Sequence, residues 1–160
     1  MLNHIFKFDY NINKHKFLLY YEKYKHLSVV DGYAKKGNIG DIWKTIYLKE
    51  YNLDCVREIE DFFEIKGDPR FYILKPNEFL PWHMDYNPKC ALNFLLSDDN
   101  TAPVCFKEGE EIFNYNYKCA LLNVKKLHSV KNDINERILF KIEISNEDFD
   151  TVKQKIMKKL

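Results

Sequence analysis

Gly67 divides the chain into two hydrophobic regimes. Before it, apolar residues recur at helical spacing; after it they alternate with a period of two as far as Ile144. Eight short strands are expected at 70–75, 79–85, 89–96, 102–107, 110–115, 118–124, 127–131 and 137–144. Turn signals separate them: Lys75-Pro76-Asn77, Asn87-Pro88, Ser97 to Asn100, Glu108-Gly109 and Lys131 to Asn135. Strands this short and this regularly spaced close into a sandwich or barrel, and the eight-stranded jelly roll is one such solution.

The first 66 residues read as support for that sheet. Residues 3–8 alternate as a short strand, and from Asn13, a candidate N-cap, Phe17, Tyr20, Tyr21 and Tyr24 share a helix face. The stretch 28–41 reads as loop and 42–48 as strand. Asn52 or Asp54 is expected to cap a helix over 54–64, with Val56, Ile59, Phe62 and Phe63 on one face and Gly67 ending it. Ser145 is expected to begin a last helix, with Asp148 as its capping-box partner and Phe149, Val152, Ile156 and Leu160 as its apolar stripe. The expected organisation is one domain over 1–160: support region 1–66, jelly-roll core 67–144 and C-terminal helix 145–160.

Composition excludes several roles. With 25 basic and 24 acidic residues, the chain lacks the charge excess that drives binding to nucleic acid or an anionic membrane. No apolar run is long enough to span a bilayer, and the N-terminal MLNHIFKFDYN lacks the apolar stretch of a signal peptide. Cys55, Cys90, Cys105 and Cys119 show no C-x-x-C spacing and read as reduced, mostly buried thiols of a cytoplasmic protein.

The chemistry concentrates at LPWHMD. Two residues apart on an extended strand, His83 and Asp85 point to one face and can converge on one ion. They supply two ligands of the 2-His-1-carboxylate triad that holds non-heme Fe(II). His128 lies 43 residues beyond Asp85, in or at the start of the seventh strand, from which it could approach His83. His15 and His26 read as solvent-facing or hydrogen-bonded histidines on the first helix, and His4 as lying near a mobile terminus. On the last strand Arg137, Leu139 and Lys141 share one face and Ile138, Phe140, Ile142 and Ile144 the other. The apolar face needs the two terminal helices as cover, so Arg137 points into the barrel. A guanidinium there calls for an anion, and its planar fork suits a carboxylate. Lys141 is the alternative for that role.

His-x-Asp, a distal His and an Arg on the last strand resemble the Fe(II)/2-oxoglutarate oxygenases. Within that group LPWHMDYNPKCALNFLLS, FKEGEE, LHSVKN and ERILFKIEI are most similar to the aspartyl/asparaginyl β-hydroxylases and the proline cis-hydroxylases. The resemblance implies a double-stranded β-helix, a cupin-like jelly roll, with Fe(II) on His83, Asp85 and His128. It also implies 2-oxoglutarate as cosubstrate on Arg137, O2 as oxidant, and hydroxylation of an amino acid or peptide side chain. Asn93 and Tyr72 are expected beside the cosubstrate, and Trp82 is read as packing. A small molecule or peptide is then the partner, with no nucleic acid and no membrane. The alternative is a cupin-like protein that binds a metal or small ligand without turnover.

Overall fold

The computed structural model describes residues 2–31 and 43–160. In chain order it runs β1 (Ile5–Lys7), α1 (Lys14–Tyr24), β2 (Val29–Val30), β3 (Trp43–Tyr47) and α2 (Asp54–Phe63). There follow β4 (Asp68–Leu74), β5 (Phe79–His83), β6 (Cys90–Leu95), β7 (Val104–Glu108), β8 (Glu111–Tyr115), β9 (Cys119–Leu122), β10 (His128–Lys131), β11 (Arg137–Ile144) and α3 (Phe149–Lys159). Among the described residues these strands form two antiparallel sheets, one ordered β1-β9-β6-β11-β4-β3-β2 and the other β5-β10-β7-β8. Mainly β, with helices on one side, this is the jelly roll. All eight strands expected after Gly67 form, and most of the expected loop 28–41 lies outside the described residues.

Two cores result. One lies between the large sheet and the helices, where Phe17 of α1, Ile59 and Phe63 of α2, and Val152 and Ile156 of α3 meet Phe71, Leu92, Phe94, Phe140 and Ile142. Phe140 sits at its middle, its ring centroid 4.5 Å from Phe17, 5.9 Å from Phe94 and 6.0 Å from Phe71. The second fills the barrel between the sheets with Trp43, Leu74, Ala91, Val104, Phe106, Ala120 and Val130. Ala91 and Ala120, on the neighbouring strands β6 and β9, are among its smallest members.

The caps differ from expectation in instructive ways. Asn13 does cap α1, its side chain accepting from the Lys16 N–H at 3.1 Å. At α2 the cap position is Leu53, with no side-chain bond, and Asn52 instead ends a short 3-10 turn in the left-handed region at φ 46°. Asp148 is itself the N-cap of α3, accepting from Thr151 N–H at 2.8 Å, rather than a capping-box partner of Ser145. Phe62 and Leu160 fall off their expected faces, at 39% and 59% exposure. His4 is not at a loose end: β1 pairs with β9, Ile5 opposite Leu122, and draws His4 to full burial. There its ring stacks on Phe106 at 4.9 Å, with Glu108 at 2.9 Å and the Tyr115 hydroxyl at 3.1 Å.

Gly67 does not end α2 either. Glu64 does, at φ 55°, with the Ile65 N–H returning to the Glu60 carbonyl at 2.9 Å. Gly67 is required by closeness: a Cβ there would meet the Glu143 carbonyl oxygen at 2.3 Å and Ile142 Cγ2 at 2.6 Å. Backbone of β11 cannot yield without disturbing β4 and β6, its two ladder partners. Gly67→Ala is therefore expected to destabilise the fold by about 1–3 kcal/mol, the range for overpacking. Urea unfolding measures it, and an alanine variant as stable as the natural chain would show that this approach is looser than described.

Candidate metal centre

His83 closes β5 and His128 opens β10, and the register places the two opposite one another in the small sheet. Their ring centroids are 4.2 Å apart. Each ring turns its Nδ1 to a backbone carbonyl two residues earlier, His83 to Pro81 at 2.7 Å and His128 to Lys126 at 2.8 Å. A carbonyl only accepts, so each Nδ1 carries a proton, and in the neutral ring Nε2 is the atom that offers a lone pair to a metal. That is the tautomer a metal ligand needs, fixed by an outer hydrogen bond.

Asp85 completes the group from outside the strand. β5 ends at His83, so the two-residue alternation is not what aligns the carboxylate. Instead the Asp85 N–H donates to the Val124 carbonyl at 2.9 Å, and Lys125 Nζ donates to the Asp85 carbonyl at 3.0 Å. The turn before β10 thereby holds the turn after β5. Asp85 Oδ1 lies 3.4 Å from His83 Nε2 and 3.6 Å from His128 Nε2, and the three donor atoms fall within 4.8 Å of one another. Trp43 against His83 at 5.2 Å and Phe106 against His128 at 5.7 Å wall the rings from solvent.

A line of charged groups runs from Asp85 along the inner face of β11 and β4. Lys141 Nζ is 3.2 Å from Asp85 Oδ2 and 3.2 Å from Glu143 Oε1. Glu143 also receives the Tyr72 hydroxyl at 3.2 Å and faces Arg70 at 3.2 Å, and Arg70 pairs in turn with Asp68. Lys141 lies over the Tyr72 ring at 4.6 Å. Burial by itself would raise the Asp85 carboxyl, but Lys141 and the two histidines hold it below the usual carboxylate range. Burial would likewise lower Lys141, yet Asp85 and Glu143 hold it above the ordinary lysine value. Burial raises the Tyr72 phenol well above its usual range.

Arg137 starts β11 and Lys141 comes four residues on, which puts Arg137 about 13 Å further along the strand. It is 3% exposed. Its Nη1 donates to Asn100 Oδ1 at 3.0 Å and to the Ala102 carbonyl at 2.8 Å, and Nη2 reaches the Tyr117 hydroxyl at 3.4 Å. Asn93, the register partner of Lys141 on β6, donates to the same Tyr117 hydroxyl at 3.0 Å. Arg137 Nε and Asn93 Oδ1 are buried without a partner among the described residues. An unpaired guanidinium N–H inside a barrel suits an anion. Glu143 continues the inward alternation of Arg137, Leu139 and Lys141 on β11, and Arg70 that of Tyr72 on β4, yet neither is among the site residues expected from sequence. Asn100 and Tyr117 lie in turns, where no period marks them. His15 and His26 are exposed, as expected, and take no part.

Acid should weaken the metal-free protein through His128. Burial first, and the neighbouring His83 second, lower it from 6.5 to about 4. Between those values the unfolded chain binds a proton that the native imidazole refuses, so stability falls as pH falls through that window. The loss expected from this group is on the order of 3 kcal/mol. Urea unfolding at pH 7 and pH 4 should show a smaller drop for His128→Gln than for the natural chain; equal drops would remove His128 as the cause.

No protein-family model matches the sequence, and no curated protein matches it. Solved structures do match the fold. The viral collagen prolyl hydroxylase vCPH from Paramecium Bursaria Chlorella virus-1, as its 2-oxoglutarate complex, aligns with TM-score 0.58 at 12% identity, over 88% of this chain and 94% of its own. HygX from Streptomyces hygroscopicus, with nickel and 2-oxoglutarate bound, aligns with TM-score 0.57 at 8% identity over 91% and 84%. The non-heme α-ketoglutarate-dependent epimerase SnoN from nogalamycin biosynthesis gives 0.56 at 11% identity over 80% and 69%. The chain therefore has the jelly-roll fold found in 2-oxoglutarate-dependent oxygenases.

Proposed function

We propose that the protein is an Fe(II)- and 2-oxoglutarate-dependent dioxygenase, with His83, Asp85 and His128 as metal ligands. The observation that carries this reading is the donor set. Two imidazoles with Nε2 turned inward and Nδ1 tied to backbone, plus one carboxylate oxygen, make the facial triad associated with non-heme Fe(II). The fold shared with 2-oxoglutarate complexes supports it, as does the buried, partnerless N–H of Arg137. When bound, Fe(II) would supply the oxidising chemistry, taking O2 and 2-oxoglutarate to succinate and CO2 while a substrate C–H bond becomes C–OH.

The protein's part is to bind, orient and keep water out. Arg137 receives the far carboxylate of 2-oxoglutarate on its fork, and the orphaned Nε becomes its second donor. In this reading Asn93, whose Oδ1 has no partner among the described residues, and Tyr72, whose hydroxyl is given to Glu143, are further contacts of the cosubstrate. Trp43, Leu74, Phe106 and Val130 pack apolar surface around the buried charges, which strengthens every ionic contact inside. The substrate in this reading is an amino acid or a peptide side chain, hydroxylated at an unactivated carbon. The whole chain 1–160 acts as one domain, and its four free thiols suit a reducing, cytoplasmic setting. No helix of the described residues is long and apolar enough to cross a membrane.

Two measurements test the reading. His83→Ala or His128→Ala should abolish stoichiometric Mn(II) binding; unchanged binding would move the metal elsewhere. Arg137→Ala should keep the metal and weaken anaerobic 2-oxoglutarate binding by about 2–5 kcal/mol, the cost of truncating one partner of a buried charge pair. An Arg137→Ala protein that binds 2-oxoglutarate as well as the natural chain would leave a metal-binding cupin as the better account. Screening amino acids for succinate release above the substrate-free rate then identifies the substrate class.

A further inference from the structure

Lys141 and the metal position share one carboxylate. Lys141 Nζ stands 3.2 Å from Asp85 Oδ2, while Oδ1 of the same group faces His83 Nε2 at 3.4 Å and His128 Nε2 at 3.6 Å. The ammonium is enclosed, its side chain 9% exposed, with Glu143 on one side and the Tyr72 ring against it. A dication held at Oδ1 therefore confronts a fixed positive charge across a single carboxylate, in an interior where like charges repel strongly.

Neighbouring groups do not remove that repulsion. Glu143 already divides its charge between Lys141 and Arg70, each at 3.2 Å. Asp68, the other partner of Arg70, is 39% exposed and screened by solvent. Asp85, Glu143, Lys141 and Arg70, joined by direct ion pairs, sum to zero with the histidines neutral; Arg137, four residues earlier on β11, lies outside that group. A divalent ion added alone leaves two positive charges uncompensated, and a dicarboxylate dianion added with it restores balance.

Resting on the dioxygenase reading above, we propose that Lys141 couples the metal to the dianion: it weakens divalent-metal binding to the anion-free protein and strengthens it once a dicarboxylate is bound. Coupling of this kind is reciprocal, so the metal tightens the dianion by the same factor. Lys141 is thus a member of the cosubstrate subsite by charge, without being the group that grips the far carboxylate.

The test is Mn(II) titration of the full chain without oxygen, followed by the electron paramagnetic resonance of free Mn(II), with and without saturating 2-oxoglutarate. In the natural protein 2-oxoglutarate should tighten Mn(II) by at least about tenfold, within the usual range of coupling between sites. In Lys141→Met, close in length but uncharged, Mn(II) alone should bind more tightly and the effect of 2-oxoglutarate should shrink about tenfold. Glu143→Gln adds net positive charge and should do the reverse, which keeps the proposal testable if Lys141→Met fails to fold. Weaker binding of Mn(II) alone by Lys141→Met would mean that Lys141 serves to hold Asp85 in place, and would overturn the coupling. So would variants whose Mn(II) affinities and 2-oxoglutarate effects match the natural chain. A natural protein that binds no Mn(II) under either condition would instead overturn the metal reading beneath it.

Discussion

Strand β11 is enclosed on both faces, and everything else in the molecule follows from satisfying both. Ile138, Phe140, Ile142 and Ile144 press outward against three helices, where burial of apolar surface is the driving force. Arg137, Lys141 and Glu143 press inward, at 3%, 8% and 9% exposure. An enclosed charge is tolerated only where partners are built around it, and replacing such pairs by apolar groups often stabilises a protein. The barrel interior accordingly supplies Asp85, Arg70, Tyr72, Asn100 and Tyr117 as partners. A fold selected for stability alone has little reason to keep so many charges inside.

The candidate metal centre draws its geometry from the same arrangement. β10 brings His128 opposite His83, and the turn before it fixes Asp85 through a backbone bond to Val124. Both imidazoles have their tautomer set by main-chain carbonyls, so the inward Nε2 atoms do not depend on any mobile side chain. Solved structures of this fold include one named a hydroxylase and one named an epimerase, so the reaction is decided by site chemistry rather than architecture.

Much of this was legible in the residue order. Period-two alternation marks every strand after Gly67, and the two faces of RILFKIEI separate helix-covered from interior side chains. The pattern faltered where long-range packing decides. His4 is buried because Ile5 pairs with Leu122, far away in sequence, and no local signal marks that. Gly67 reads as a helix stop, whereas its lack of a side chain serves the passage of β11. Asp85 reaches its place past the end of β5 through a contact with another turn, so its nearness to His83 was expected for the wrong local reason. Glu143 needed only the alternation carried one step beyond Lys141.

The central claim is that one ion sits between His83 Nε2, His128 Nε2 and Asp85 Oδ1. Anomalous diffraction from crystals grown anaerobically with Mn(II) locates such an ion without reference to activity. The account predicts a single strong peak within bonding distance of all three atoms, with the Lys141 ammonium on the far side of the Asp85 carboxylate. A peak elsewhere in the molecule, or density for the three side chains with no ion between them, would contradict it.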